Sequence, residues 1–179
     1  TGTLTTGKFR IAGFNVYDEQ IEAEEFKRIA YSLERYSNHP VAQSVAKEWK
    51  IKNEIRWQKI EEIKGLGMKA VDKEGNEYIA GSFKAAAALT EDHTHNIYIM
   101  RNNILLGWID VIDDIRPEAK TVITLLKANG FKTILLSGDK KEKCDAVAAA
   151  IGINKVYSEQ LPAQKLEILK TYGAQNITV

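Results

Sequence analysis

The 179-residue chain has a single cysteine, Cys144. It cannot close an internal disulfide, so a reducing compartment is the natural setting. Cys144 also has no second cysteine at ligand spacing, which leaves no thiolate site for a transported metal. No apolar run approaches the ~18 residues needed to span a bilayer. The N-terminus has no basic region followed by an apolar stretch, so no signal peptide is expected. Neither charge dominates, with 25 Lys and Arg against 24 Asp and Glu. That balance argues against a surface for DNA, RNA or anionic lipid. Internal repeats and low-complexity stretches are absent too. What remains is a soluble, intracellular α/β chain with room for one large domain or two small ones.

The apolar pattern changes period along the chain. Residues 8–17 alternate apolar and polar, which predicts a strand with a bulge at Gly13. Phe26, Ile29, Ala30 and Leu33 recur at helical spacing within Glu22–Tyr36, and Val41, Val45 and Trp49 repeat that pattern. Strands are expected around Ile60 to Ile63, Met68 to Val71 and Tyr78 to Ala80, with Lys73-Glu74-Gly75-Asn76 as a turn. Ser82 to Leu89 reads as a helix capped by Ser82. Asn102-Asn103 joins a strand pair, residues 96–100 and 104–112.

From Arg116 onward helices and short apolar strands alternate. Helices are expected over 116–129, 139–151 and 162–172, the first opened by Pro117 and each followed by a glycine. Strands are expected over 131–137, 155–157 and 176–179. This alternation predicts a doubly wound parallel sheet. Residues 16–103 therefore form an inserted α+β unit with an antiparallel sheet. Residues 1–15 and 104–179 close into one α/β unit.

Ligands of open α/β sheets sit outside the carboxyl ends of the strands. Ser137-Gly138-Asp139 falls there, where a hydroxyl, exposed amides and a helix N-terminus can bind phosphate. The same residues can simply cap a helix. Thr1-Gly2-Thr3 offers hydroxyl and amide donors of the kind that hold phosphoryl oxygens, or is a polar end. Lys165 is a cation able to neutralise charge spreading over a phosphoryl group, or a solvated helix lysine. His93 and His95 form a conceivable metal pair, but a mobile polar loop is the simpler reading.

Thr1-Gly2-Thr3-Leu4-Thr5 and Leu136-Ser137-Gly138-Asp139 together resemble the active site of P-type ATPases, ion pumps that pass through an aspartyl phosphate. Leu161-Pro162-Ala163-Gln164-Lys165 resembles the segment whose lysine reaches the transferred phosphoryl. Asp113-Asp114-Ile115-Arg116-Pro117 resembles the hinge, which implies that Asp113 and Arg116 lie near the nucleotide. Ser37-Asn38-His39-Pro40 is similar to the Ser-Glu-His-Pro motif of heavy-metal pumps, whose histidine contacts adenine. Glu34 matches an adenine-contacting glutamate. Gly65-Leu66-Gly67 and Gly81-Ser82 match segments beside the nucleotide.

The resemblance implies a haloacid-dehalogenase type of fold for the α/β unit, with the nucleotide-binding domain inserted. Its implied function is the ATP-binding and phosphorylation part of a heavy-metal pump, copper foremost, cytoplasmic and attached to a membrane protein. ATP and Mg²⁺ are the implied cofactors. Actuator and transmembrane domains are the implied partners, and the transported ion binds elsewhere. The implied catalytic residues are Thr1, Thr3, Ser137, Gly138, Asp139 and Lys165. Glu34, His39, Gly65, Gly67, Gly81, Ser82, Asp113 and Arg116 are the implied nucleotide site.

The phosphorylated Asp of the motif would precede Thr1 by two residues, and the acids that hold Mg²⁺ would follow Val179. No metal ligand is expected inside the chain, save the backbone of Thr1. Nucleotide binding without turnover is therefore expected of these residues. Asn38 replaces the motif's Glu, Ser82 replaces its usual Asn, and Lys140 stands where many members have Asn. The competing readings are a soluble phosphatase with an inserted cap, a potassium-pump subunit, and a nucleotide-sensing module without catalysis.

Overall fold

A computed structural model describes residues 2–17, 19 and 21–173. Thr1 and the strand expected over 176–179 lie outside the described residues. The chain divides into two compact units, residues 7–114 and residues 1–6 with 115–179. The limits of the inserted unit thus fall at 7 and 114 rather than at 16 and 103. The reason is that two long strands, β1 (Thr5–Val16) and β6 (Ile104–Ile115), enter and leave through the sheet of that unit.

That sheet has six strands in the order β1-β6-β5-β4-β3-β2. Strands β2 (Lys59–Ile63), β3 (Gly67–Val71), β4 (Glu77–Gly81), β5 (Ile97–Arg101) and β6 form an antiparallel meander. The two asparagines joining β5 to β6 both have positive φ, 50° at Asn102 and 61° at Asn103, as a two-residue hairpin turn requires. The pairing slips between Ile99 and Met100, and Gly13 lies inside the single strand β1.

Two helices, α1 (Ala23–Glu34) and α2 (Pro40–Glu48), supply the apolar stripe that the spacing predicts. Phe26, Ile29, Ala30 and Leu33 are fully buried and join Met68, Ala70, Tyr78, Ala80, Ile97, Ile99 and Leu106 in one core. Strand β5 explains its own composition. Ile97 and Ile99 point into that core, while Tyr98 and Met100 point to a second cluster with Ala86, Phe83 and Trp108. A strand covered on both faces is apolar throughout. The expected helix after Ser82 shrinks to α3 (Phe83–Ala86), with Ser82 at its start but making no side-chain cap.

The other unit contains α4 (Ala119–Ala128), β7 (Ile134–Leu136), α5 (Lys141–Ile151), β8 (Lys155–Tyr157) and α6 (Pro162–Gly173). Among the described residues its parallel sheet comprises β7 and β8, paired from Ile134 with Lys155 to Leu136 with Tyr157. Strand β7 is shorter than the expected 131–137. Gly130, at φ 83°, donates to Lys127 O and Phe131 to Leu126 O, both at 3.0 Å. That pair of bonds is a Schellman motif, so Phe131 belongs to the helix end and not to the sheet. Ala119, Ile123, Ala148, Ile151 and Ile153 form the core of this unit.

Candidate functional site

In the sheet unit the candidate residues gather around the α1–α2 connection and the β2–β3 turn. Helix α1 ends at Glu34, whose carbonyl accepts from Ser37 N at 3.1 Å. Ser37 is buried, and its hydroxyl ties the loop together. Ser37 Oγ accepts from His39 N at 3.1 Å and donates to Glu62 Oε1 on β2 at 3.3 Å. Gln43 Nε2 donates to Ser37 O. His39 caps α2, its Nδ1 accepting from Val41 N at 3.3 Å. With Nδ1 as acceptor the neutral ring carries its proton on Nε2, so an exposed ring face and one N–H are offered to a ligand.

Glu34 is only 4% exposed. Burial, and secondarily the nearby Glu62 carboxylate, push its carboxyl up to about 8 from 4.5. Such a shift marks a functional-site candidate with a stated cause. Glu62 escaped the sequence reading because one Glu in a polar strand carries no signal of what it will face.

The glycines meet at the same end of the sheet. Gly67 pairs with Gly81 across β3 and β4. A Cβ on Gly67, whose φ is 139°, would lie 2.1 Å from Ala80 O, and one on Gly81 would lie 2.5 Å from Leu66 O. Their immediate reason is therefore close approach of two backbones. Gly65 has open space around it and φ 77°. Ser82 N donates to Leu66 O at 2.8 Å, and Ser82 Oγ lies 3.5 Å from Gly65 O.

In the other unit Ser137-Gly138-Asp139 follows β7 and precedes α5. The amides expected to face phosphate are partly taken up internally. Ser137 N donates to Tyr157 O at 2.8 Å, and Asp139 N donates to Ser137 Oγ at 3.1 Å. Ser137 Oγ in turn donates to Asp139 Oδ2 at 2.7 Å. The segment before α6 closes over this loop: Gln160 N reaches Ser137 O at 3.0 Å, and Glu159 N reaches Asp139 O at 2.9 Å. A Cβ on Gly138 would lie 3.3 Å from Gln160 O. Lys165 stands one turn into α6, half-buried. Leu161 N donates to Gln164 Oε1 at 2.7 Å, the backward half of a capping box. Ser137, Gly138 and Asp139 thus meet the segment before α6, Gln160 and Gln164 being partners that sequence reasoning missed, while Lys165 is fixed by its own N donating to Leu161 O at 3.0 Å.

Arg116 holds the opening segment, its guanidinium donating to Thr3 O at 3.0 Å and Gly2 O at 2.9 Å. Asp113 Oδ1 accepts from Gly7 N at 2.8 Å, while its buried Oδ2 has no partner among the described residues. Both residues, expected beside a nucleotide, bond to neighbouring backbone here. Thr1 lies outside the described residues.

His95 departs from the expected mobile loop. Its Nδ1 lies 2.8 Å from Asp110 and its Nε2 3.1 Å from Asp92. Its ring stacks on Trp108 at 3.6 Å. Among the described residues no group of three or more His, Cys, Asp or Glu could hold a metal, and no helix is long and apolar enough to cross a membrane.

A buried acid thus ends α1 and a histidine caps α2, while the Ser-Gly-Asp loop is bonded to the segment before α6. The chain belongs to the haloacid dehalogenase-like hydrolases, whose family model matches residues 1–179. Its relatives include P-type ATPases of heavy metals. It is 30% identical over 197 residues to a probable cadmium-transporting ATPase of Staphylococcus aureus, covering 98% of this chain and 24% of that protein. It is 30% identical over 194 residues to the copper-exporting P-type ATPase B of Archaeoglobus fulgidus, covering 99% and 27%. The fold matches the catalytic domain of the CPx-ATPase CopB-B, solved in a study of its conformational changes upon nucleotide binding. The TM-score is 0.80 at 26% identity, over 97% of this chain and 64% of that one. The chain spans about a quarter of the length of the curated relatives it matches.

Proposed function

We propose that the chain is the ATP-binding and phosphorylation portion of a heavy-metal-transporting P-type ATPase. Its sheet unit binds the adenine and its α/β unit receives the phosphoryl group. The observation that carries this reading is the linkage of the Ser37-Asn38-His39 loop to Glu62, with Glu34 buried at its base. Adenine would lie against His39 and Glu34, next to the backbone of Gly65 and Gly67 and beside Gly81 and Ser82. Thr1, Thr3, Ser137, Gly138 and Lys165 would hold the transferred phosphoryl oxygens, the lysine supplying charge where the transition state gathers it. Ser137 reaches that role already oriented by Asp139. Asp113 and Arg116 would act by setting the chain around the nucleotide.

ATP supplies the phosphoryl group, and the aspartate that accepts it in the motif is not among these 179 residues. Among the described residues no cluster of acids is placed to hold Mg²⁺. The reading is therefore nucleotide binding without turnover by these residues. In the whole pump, cytoplasmic catalysis would be coupled to actuator and transmembrane domains.

Copper is the cargo we favour, on the likeness to CopB-B and to the copper-exporting relative. The cadmium relative at equal identity makes cadmium its competitor.

Calorimetric titration of ATP, ADP and GTP into the chain and into His39→Ala tests the adenine site. Adenine-selective binding that His39→Ala weakens supports it. A folded chain that binds none of the three returns the sheet unit to the role of a phosphatase cap.

A further inference from the structure

Strand β2 lies at the edge of the six-stranded sheet, and its side chains alternate between the two faces. Lys59 and Glu61 fall on one face and pair with each other at 3.0 Å. Ile60 and Glu62 fall on the other, opposite Ala70 and Met68 of β3. Ile60, Ala70 and Met68 all belong to the main core of the unit. An acid therefore stands in a row that the pattern assigns to apolar residues. Among the described residues no salt bridge engages it, and its hydrogen-bond partner is Ser37 Oγ at 3.3 Å.

That hydroxyl decides how the α1–α2 loop is held. A serine hydroxyl donates one hydrogen bond and accepts up to two. Ser37 is 3% exposed, so solvent has little access to its proton. Glu62 takes the proton instead, which leaves the lone pairs of Ser37 Oγ to His39 N at 3.1 Å. Gln43 of α2 holds the same residue from its other side, donating to Ser37 O. The His39 ring is fixed in turn by Val41 N, which donates to Nδ1 at 3.3 Å. Backbone and ring of His39 are thus each held by one bond, and the first is set by Glu62. An inward-facing acid also discourages an edge strand from pairing with another chain. That role needs a charge at position 62 and asks nothing of Ser37 or His39.

We propose that Glu62 is a positioning residue of the adenine site, taking the Ser37 hydroxyl proton and so holding the loop that aims the His39 ring. The inference rests on the adenine-site reading above and adds the strand residue that keeps that site in shape. Glu62 does not touch the base. It acts through Ser37 and His39, so its effect vanishes once the His39 ring is removed. The effect of the carboxyl survives replacement by an amide, because the glutamine oxygen accepts the same proton.

The test is calorimetric titration of ATP and GTP into the wild-type chain, Glu62→Gln, Glu62→Ala, His39→Ala and the double alanine variant, each with its melting temperature. Glu62→Ala should weaken ATP binding about fivefold, the worth of one hydrogen bond, and narrow the preference for ATP over GTP. Glu62→Gln should bind ATP nearly as the wild type does. The double variant should bind ATP no more weakly than His39→Ala. The ring nitrogen NMR shifts of His39 give a second readout. The wild type and Glu62→Gln should show one tautomer, protonated on Nε2. Glu62→Ala should show a mixture, as the bond to Nδ1 frays. A guard on the sheet edge would leave that signature unchanged.

Three results would overturn the positioning role and leave the adenine site standing. They are a Glu62→Ala chain that binds as wild type, a glutamine variant as weak as the alanine one, and an equal loss with and without the His39 ring. A folded wild-type chain that binds no ATP would overturn both.

Discussion

The two units bury their apolar residues to different depths. Fifteen buried residues make the main cluster of the sheet unit, against five in the α/β unit among the described residues. The α/β unit also leaves Leu125 62%, Phe131 56% and Leu161 67% exposed. Its element ends are instead defined by local devices. These are the Schellman turn at Gly130, the left-handed Gly152 closing α5, and the Gln164 contact opening α6. The candidate sites follow the same division. The adenine candidate depends on side chains from α1, the α1–α2 loop and β2 and on the glycine backbone of the strand pair β3–β4 meeting across the fold. The phosphoryl candidate is chiefly a backbone loop bonded to the segment before α6. A site made by long-range packing inherits the stability of the core, and a site made by local bonds does not.

The largest effect should come from the deeper core. Phe26 is completely buried, stacks on Phe14 at 5.9 Å and meets Trp49 edge-on at 6.3 Å. Its ring also lies where a Cβ on Gly107 would come within 2.9 Å, so the site cannot collapse freely around a cavity. Phe26→Ala is expected to cost about 3–5 kcal/mol, with loss of amide protection along β5 and β6. Ile123→Ala in the α/β core should fall nearer to about 2 kcal/mol. Denaturant titration combined with hydrogen exchange resolved by element measures both. Equal costs would break the contrast between the two cores.

Next is the acid at the base of the adenine candidate. Below its unfolded pKa of 4.5, Glu34 is neutral in both states and does not disfavour folding. Between 4.5 and about 8 the unfolded chain releases a proton that the folded chain keeps, so stability falls as pH rises through that window. Above it the native group ionises too and the penalty stops growing. Glu34→Gln removes the titration. It is expected to stabilise the free chain at neutral pH by on the order of 3 kcal/mol, with no gain below the window. Melting temperatures of the two chains across this range check the sign. A glutamine variant less stable than wild type at neutral pH would mean that the carboxyl has a partner in solution. A stabilising change at a proposed ligand contact is the expected signature of a group retained for function.

Much of this was legible in the chain. The i, i+3, i+4 spacing of Phe26, Ile29, Ala30 and Leu33 marked α1 and its buried face. Asn102-Asn103 and the Gly75 turn marked two hairpins, because positive φ restricts the residue type. Motif spacing also picked out Glu34, His39 and Ser137 as candidates. What was not legible depends on distant pairing. The continuation of β1 and β6 into the sheet moved the unit limits, since a strand's partner is not written in its own residues. Glu62 became visible only once β2 lay beside the Ser37 loop. His95 looked like loop polarity until Trp108 and Asp110 came from another strand to hold it.

The smallest effect should lie in the phosphoryl candidate, and it sharpens the comparison from the other side. Ser137 is buried, and its hydroxyl bonds mainly within its own loop, to the Asp139 carboxylate and from the Asp139 amide, with the Cys144 thiol of α5 as a further neighbour. Asp139 is exposed, so water can replace what an alanine removes, and the backbone bond from residue 137 to Tyr157 O survives the change. Ser137→Ala is therefore expected to cost only about 1 kcal/mol, with α5 and β8 intact by circular dichroism and hydrogen exchange. If the loop is preorganised for a phosphoryl group, the same variant should lose much more in binding of a phosphoryl mimic than in stability. That mimic is best tested on a chain that also carries the motif's aspartate. A stability loss as large as that of Phe26→Ala would show that the loop is part of a core rather than a cradle set on local bonds.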